Sequence, residues 1–128
     1  MARGAAGVAA CVAEARRAAA LGIRGLLVTD VGVLAVIGEL RAAGELPGNL
    51  VLKTSVLPAA NPAAARELAR LGADTINVAT DLSPAQLGEM RAAVSVPLDV
   101  YVEVPDDQGG FVRFYEVPEI VARPRPCT

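Results

Sequence analysis

The stretch Ala65–Ala93, ARELARLGADTINVATDLSPAQLGEMRAA, decides the fold when set against Ala15–Ala43, ARRAAALGIRGLLVTDVGVLAVIGELRAA, fifty residues upstream. Laid over one another without a gap, the two agree at 12 of 29 positions, including Leu21-Gly22 with Leu71-Gly72 and Gly38-Glu39 with Gly88-Glu89. One inserted residue also brings Thr29-Asp30 onto Thr80-Asp81. A repeated unit that cannot bury its own apolar face stacks on copies of itself, so the period dictates the architecture. Each unit reads as helix end, glycine, apolar strand, Thr-Asp, second helix. That is the order of a parallel β/α array.

The remaining punctuation extends this unit along the chain. Ala5–Leu21 has helical composition and stops at Gly22, since glycine takes the left-handed backbone of a helix end without penalty. Gly25–Thr29 is a short apolar run, the pattern of a strand covered on both faces. Val33–Ala43 is the next helix, ended by Gly44, with Pro47-Gly48-Asn49 as a turn. Val51–Val56 is the second strand. Asn61 caps a helix carrying Pro62 in its first turn and stopping at Gly72. Thr75–Val78 is the third strand. Ser83-Pro84 repeats the cap-plus-proline start of a helix that runs to about Ala93. Leu98–Val104 reads as the fourth strand, and Phe111–Val121 as one more helix interrupted at Pro118.

Strand starts near residues 25, 51, 75 and 98 recur about every 25 residues, close to the unit length of a compact (β/α) barrel. A small doubly wound sheet fits the same spacing, but it wants a glycine-rich phosphate turn after its first strand. Thr29-Asp30-Val31-Gly32 offers a lone glycine there. The expectation is therefore an α/β fold of parallel (β/α) repeats, a partial TIM barrel of about four strands over residues 1–121, with a Pro-rich tail at 122–128. Half a barrel leaves two strand edges and one sheet face open, which natural proteins avoid. A homo-oligomer, or a missing barrel half, is the expected remedy.

Composition bounds the rest. The hydrophobic fraction is 53% and the aromatic fraction 3%, so Ala, Val, Leu and Ile build the core. Net charge is −2 with both signs interleaved, which argues against direct nucleic-acid binding. No apolar run approaches the roughly 20 residues that span a bilayer, and Glu14, Arg16 and Arg17 interrupt the N-terminal alanines too early for a signal peptide. A soluble, cytoplasmic protein without membrane contact is expected. Cys11 and Cys127 are too far apart in pattern to suggest a structural disulfide or a two-cysteine metal site, and no cofactor is expected.

Candidate chemistry lies on the strands. Lys53 and Ser55, then Thr75 and Asn77, then Asp99, Tyr101 and Glu103 recur with period two, so each set shares one face of its strand. In a barrel this polar set faces the lumen and must satisfy itself. Lys53 is the single lysine and sits mid-strand. It reads as the partner of Asp99 or Glu103, as an anchor for a substrate carboxylate, or as an amine serving as base or Schiff-base nucleophile. Asp99 and Glu103 would stand about 13 Å apart along one strand, a site and its support rather than a carboxylate pair. Asp106 and Asp107, with Gly109-Gly110, form an acidic loop, either a solvated turn or a contact for substrate or metal. Asp30 and Asp81 read as helix caps or ligands.

Three stretches carry a family resemblance: Pro58-Ala59-Ala60-Asn61-Pro62, Leu71–Asn77 (LGADTIN), and Pro97–Glu119 (PLDVYVEVPDDQGGFVRFYEVPE). From about Gly4 to Val121 the chain resembles bacterial members of the collagenase-like peptidase family of unknown catalytic type. The resemblance implies a barrel fold and a peptidase, hence hydrolase, label. Relatives of this kind include proteins needed for RNA and quinone hydroxylation, some holding an iron–sulfur cluster on four cysteines. The cysteine-bearing signature of the family is absent here, so neither cluster nor catalytic role transfers to any residue. Such relatives also continue into further strands, and this chain reads as truncated at its C-terminal end.

Three functions follow as expectations. One is a hydrolase acting on a small-molecule or peptide substrate at a pocket of Lys53, Asn77, Asp99, Tyr101 and Glu103. Another is a non-catalytic half-barrel that needs a partner. A third is a Schiff-base lyase built on Lys53. There is no histidine, which excludes Ser–His and Cys–His nucleophiles within the chain and removes the usual zinc ligands. The absence favours a chain that is inactive in isolation.

Overall fold

The computed structural model describes residues 1–55, 59–108 and 110–122. The elements run α1 (Gly4–Ala20), β1 (Gly25–Val28), α2 (Val31–Ala42), β2 (Val51–Thr54), α3 (Pro62–Arg70), β3 (Ile76–Asn77), α4 (Pro84–Ala93) and β4 (Leu98–Asp99). Then follow β5 (Glu103–Val104), β6 (Phe111–Val112) and α5 (Val117–Ala122).

Local sequence explains where the helices start and stop. Asp30 accepts from the Val33 amide, Asn61 from that of Ala64, and Ser83 from that of Gln86, each satisfying an amide that a first turn leaves orphaned. Gln86 returns the favour to the Ser83 amide, completing a capping box. At the other ends Gly22 (φ +92°) and Gly72 (φ +111°) close α1 and α3 with the same pair of bonds. Gly22 N–H donates to Ala19 and Ile23 N–H to Ala18; Gly72 donates to Ala69 and Ala73 to Leu68. This is the Schellman geometry, and its recurrence at equivalent positions shows that the sequence repeat is a structural one.

The strands form a mixed α/β fold with short parallel ladders. β1 pairs with β2 in parallel (Gly25 opposite Val51), and β3 with β4 (Asn77 opposite Asp99). A parallel bridge between Lys53 and Thr75 joins the two pairs, supported by Thr54 N–H to the Thr75 carbonyl (3.0 Å) and Asp74 N–H to that of Leu52 (2.8 Å). The order is therefore β1-β2-β3-β4. Leu52, Ile76 and Val78 are buried with Leu34, Ile37, Leu68 and Met90 in one core under the helices. The alternate strand residues point the other way.

The two repeats touch through their own matched residues. A Cβ on Gly38 of α2 would collide with the carbonyl oxygen of Leu71, at the end of α3. Arg41 and its repeat equivalent Arg91 do the same work. Arg41 Nη1 donates to the Leu50 carbonyl just before β2 (2.7 Å), and Arg91 Nη1 to the Val96 carbonyl just before β4 (2.8 Å). Arg41 also binds Asp74 (2.5 Å) and the Gly72 carbonyl (2.8 Å), tying α2 to the turn that enters β3.

Several sequence expectations are corrected. The fourth strand does not run from Leu98 to Val104: β4 ends at Asp99, where its two-residue partner β3 ends, and β5 pairs antiparallel with β6 (Glu103 opposite Val112). Alternation with period two marks a strand without naming its partner, so one apolar-polar run served two ladders. Phe111–Val121 is not one interrupted helix. β6 and a 3₁₀ turn (Phe114–Glu116) precede α5, and Pro118 lies in its first turn, where proline loses no needed donor. α2 starts two residues before Val33, because Asp30 is its cap. Val56, Pro58, Gly109 and the tail 123–128 with Cys127 lie outside the described residues.

Candidate functional site

The face of the sheet opposite the core gathers four of the five candidate residues. Lys53 sits mid-β2 opposite Thr75, Asn77 on β3 opposite Asp99 on β4, and Tyr101 just beyond. Lys53 Nζ reaches Asp99 Oδ2 at 2.8 Å. Strands two apart in a sheet are roughly 10 Å apart, so this bond arches over β3. The side chains of Lys53 and Asp99 keep 44% and 38% of their exposure, so the pair lies on an open face rather than in a closed lumen. The hydrogen bond that Lys53 donates to Asp99 raises the Lys53 pKa, burial opposes it, and the charges of Asp99 and Tyr101 add to the rise. The amine is therefore held as an ammonium.

Asn77 is different in kind. It is 4% exposed, and no hydrogen-bond donor among the described residues reaches its Oδ1. Its backbone N–H is satisfied by Thr54 Oγ1 (3.2 Å). A buried carbonyl without a donor is costly, and such groups concentrate where something else supplies the proton.

Glu103 does not join this group. It is the exposed first residue of β5, in the antiparallel hairpin rather than on β4. Asp106 and Asp107 lie exposed in a 3₁₀ turn closed by Gly110 N–H to the Pro105 carbonyl (3.0 Å). Of the two repeat aspartates, Asp30 caps α2 and also accepts from the Ala2 amide (3.2 Å). Its hydrogen bond from Val33 holds its carboxyl below the usual range. Asp81 has no such place, because Ser83 caps α4.

Sequence reasoning missed Arg113. Its side chain is fully buried, with Nη1 donating to the carbonyls of Thr80 (3.1 Å) and Leu82 (2.6 Å) and Nε 2.9 Å from the Glu116 carboxylate. It fastens the β5–β6 hairpin onto the loop that follows β3. The available signal was a single charge inside Phe111-Val112-Arg113-Phe114-Tyr115, the most aromatic stretch of the chain.

Two grooves open beside the outer strands. One of about 520 Å³ lies between α1, β1 and α2, and one of about 330 Å³ between α4, β4 and α5. Among the described residues no three His, Cys, Asp or Glu side chains are grouped to hold a metal. A cluster held on four cysteines does not fit a chain with two, of which Cys11 is half-buried on α1. No helix is long and apolar enough to cross a membrane.

A solved structure described as a U32 peptidase has a similar fold, with a TM-score of 0.62 and 22% sequence identity. The likeness covers 94% of this chain and 44% of that one, so the chain spans less than half of that protein's length. At this identity the likeness bears on the fold. No family model matches the chain, and no curated protein does.

Proposed function

We propose that this chain is a partial (β/α) barrel of peptidase type. Its uncovered sheet face binds a small-molecule or peptide ligand at Lys53, Asn77, Asp99 and Tyr101, and the isolated chain turns nothing over. The observation that carries the reading is the Lys53–Asp99 bond across β3, with both side chains partly open to water. Parallel strands in sequential order, each preceded by a helix, support the partial barrel, as does the likeness to a U32 peptidase of more than twice the matched length. The hydrolase label rests on that likeness together with the resemblance in Pro97–Glu119. No histidine is available to activate a nucleophile, and the Asp99 carboxylate favours the ammonium form of Lys53, which weighs against both an unassisted hydrolase and a Schiff-base lyase.

A peptide library, read for binding and for cleavage, tests it. Binding without cleavage is expected, lost in Asp99→Asn and weakened in Asn77→Ala. Cleavage that disappears in Lys53→Met would overturn the inactive reading. Borohydride trapping of a carbonyl compound on Lys53 would replace it with the lyase.

A further inference from the structure

The large apolar side chains that this chain leaves in water sit at the two ends of its sheet. Around β1 these are Met1, Leu21, Ile23, Leu27, Val31 and Val51. Beyond β4 they are Tyr101, Val102, Val112, Phe114, Tyr115 and Val121. Among the described residues none falls between 52 and 100. Single exposed apolar residues are ordinary; segregation into two terminal patches marks surfaces meant to be covered.

The two ends differ in ways that fit one another. All four aromatic residues of the chain lie between 101 and 115, and aromatic side chains are the usual anchors of an interface. Arg113 precedes the 3₁₀ turn that carries Phe114 and Tyr115 and pins it to the loop after β3, so these two anchors are held while exposed. The other end offers the groove of about 520 Å³ beside β1, walled chiefly by apolar residues such as Ala15, Leu26 and Leu27, with Glu14 and Asp30 as its charged lining. Net charge is complementary between the two ends taken as a whole, with the arginines of the first end lying around the groove rather than in it. Residues 1–31 carry Arg3, Arg16, Arg17 and Arg24 against Glu14 and Asp30. Residues 98–122 carry six carboxylates against Arg113 alone.

We propose that the chain pairs with a second copy of itself through these ends, the β1 end of each against the aromatic hairpin end of the other. Each copy carries both halves of the joint, so two identical joints close a two-fold dimer. The closure turns the open faces with their Lys53–Asp99 pairs toward a shared interior. The pairing does not require a ligand, although Leu27 and Tyr101 at its rim share the sheet face with Lys53.

Sedimentation velocity at micromolar concentration tests it. The expected mass is twice the 13.1 kDa of the chain, with the dimer weakening as salt rises, because opposite charges meet at the joint. Leu27→Glu and Tyr115→Ser, both at well-exposed positions, each weaken the dimer by about tenfold or more while the circular-dichroism melt is kept. Mixing the two variants restores part of the dimer, because one of the two joints is then intact. A monomer with a cooperative melt overturns the proposal. So does an open-ended series of larger species, or a dimer that ignores both substitutions.

Discussion

Gly38 shows how narrowly single residues fix this chain. In the interior of α2 an alanine would ordinarily be preferred over glycine by about 1 kcal/mol. Here the Leu71 carbonyl occupies the place of a side chain. Gly38→Ala is expected to cost about 2 kcal/mol net, since the clash is with backbone that cannot rotate away; a chemical melt measures it. Lys53 behaves otherwise. Its pair with Asp99 is open to water, so Lys53→Met should change stability by less than about 1 kcal/mol, while removing the binding proposed for that face. Removal of a buried lysine partner would have cost several times more. The Lys53 contribution is present below the ordinary lysine pKa and is lost as pH rises through the raised value. Asp30 works in the opposite sense. Its lowered carboxyl stabilises above its ordinary pKa and loses that stability as pH falls through the lowered one. Asp30→Asn keeps the cap and should flatten the acid limb of the stability curve, which melts between neutral pH and acid will show.

Among the elements, the β5–β6 hairpin depends most on one side chain. Its ladders are two residues long, too short to hold alone. Arg113 supplies the attachment, and Arg113→Met would leave the Thr80 and Leu82 carbonyls and the Glu116 carboxylate without it. A loss of about 3 kcal/mol is expected, with faster amide exchange in residues 102–116 than in β1 or β2 as the distinguishing readout. This is also where the sequence was least legible. Helix ends were readable because each rests on one residue type at one position: Gly22, Asn61, Gly72 and Ser83 all do what their chemistry demands. The strand over Leu98–Val104 was not, because its alternation is equally good for a parallel ladder with β3 and for a hairpin with β6. Alternation alone places Glu103 on the site face, and the hairpin takes it away. The tertiary partner, absent from any local pattern, decided it.

At the scale of the molecule, the repeat was the most legible feature and the surface chemistry the least. Twelve shared positions predicted units that stack, and the contact of Gly38 with Leu71–Gly72 is that stacking. Period-two placement brought Lys53, Asn77, Asp99 and Tyr101 to one face, but it could not say that the face would be open or that the Asn77 carbonyl would be buried there without a donor. Those follow from how many strands surround it. The central claim is that Lys53 and Asp99 meet across β3 and organise this face. Lys53 is the single lysine, so selective carbon-13 lysine labelling yields one set of side-chain signals, and their pH titration reads its pKa directly. The expected result is a pKa above the ordinary 10.5 in the native chain, falling toward it in Asp99→Asn. The same titration midpoint in both proteins would mean that the two residues do not meet, and would contradict the account.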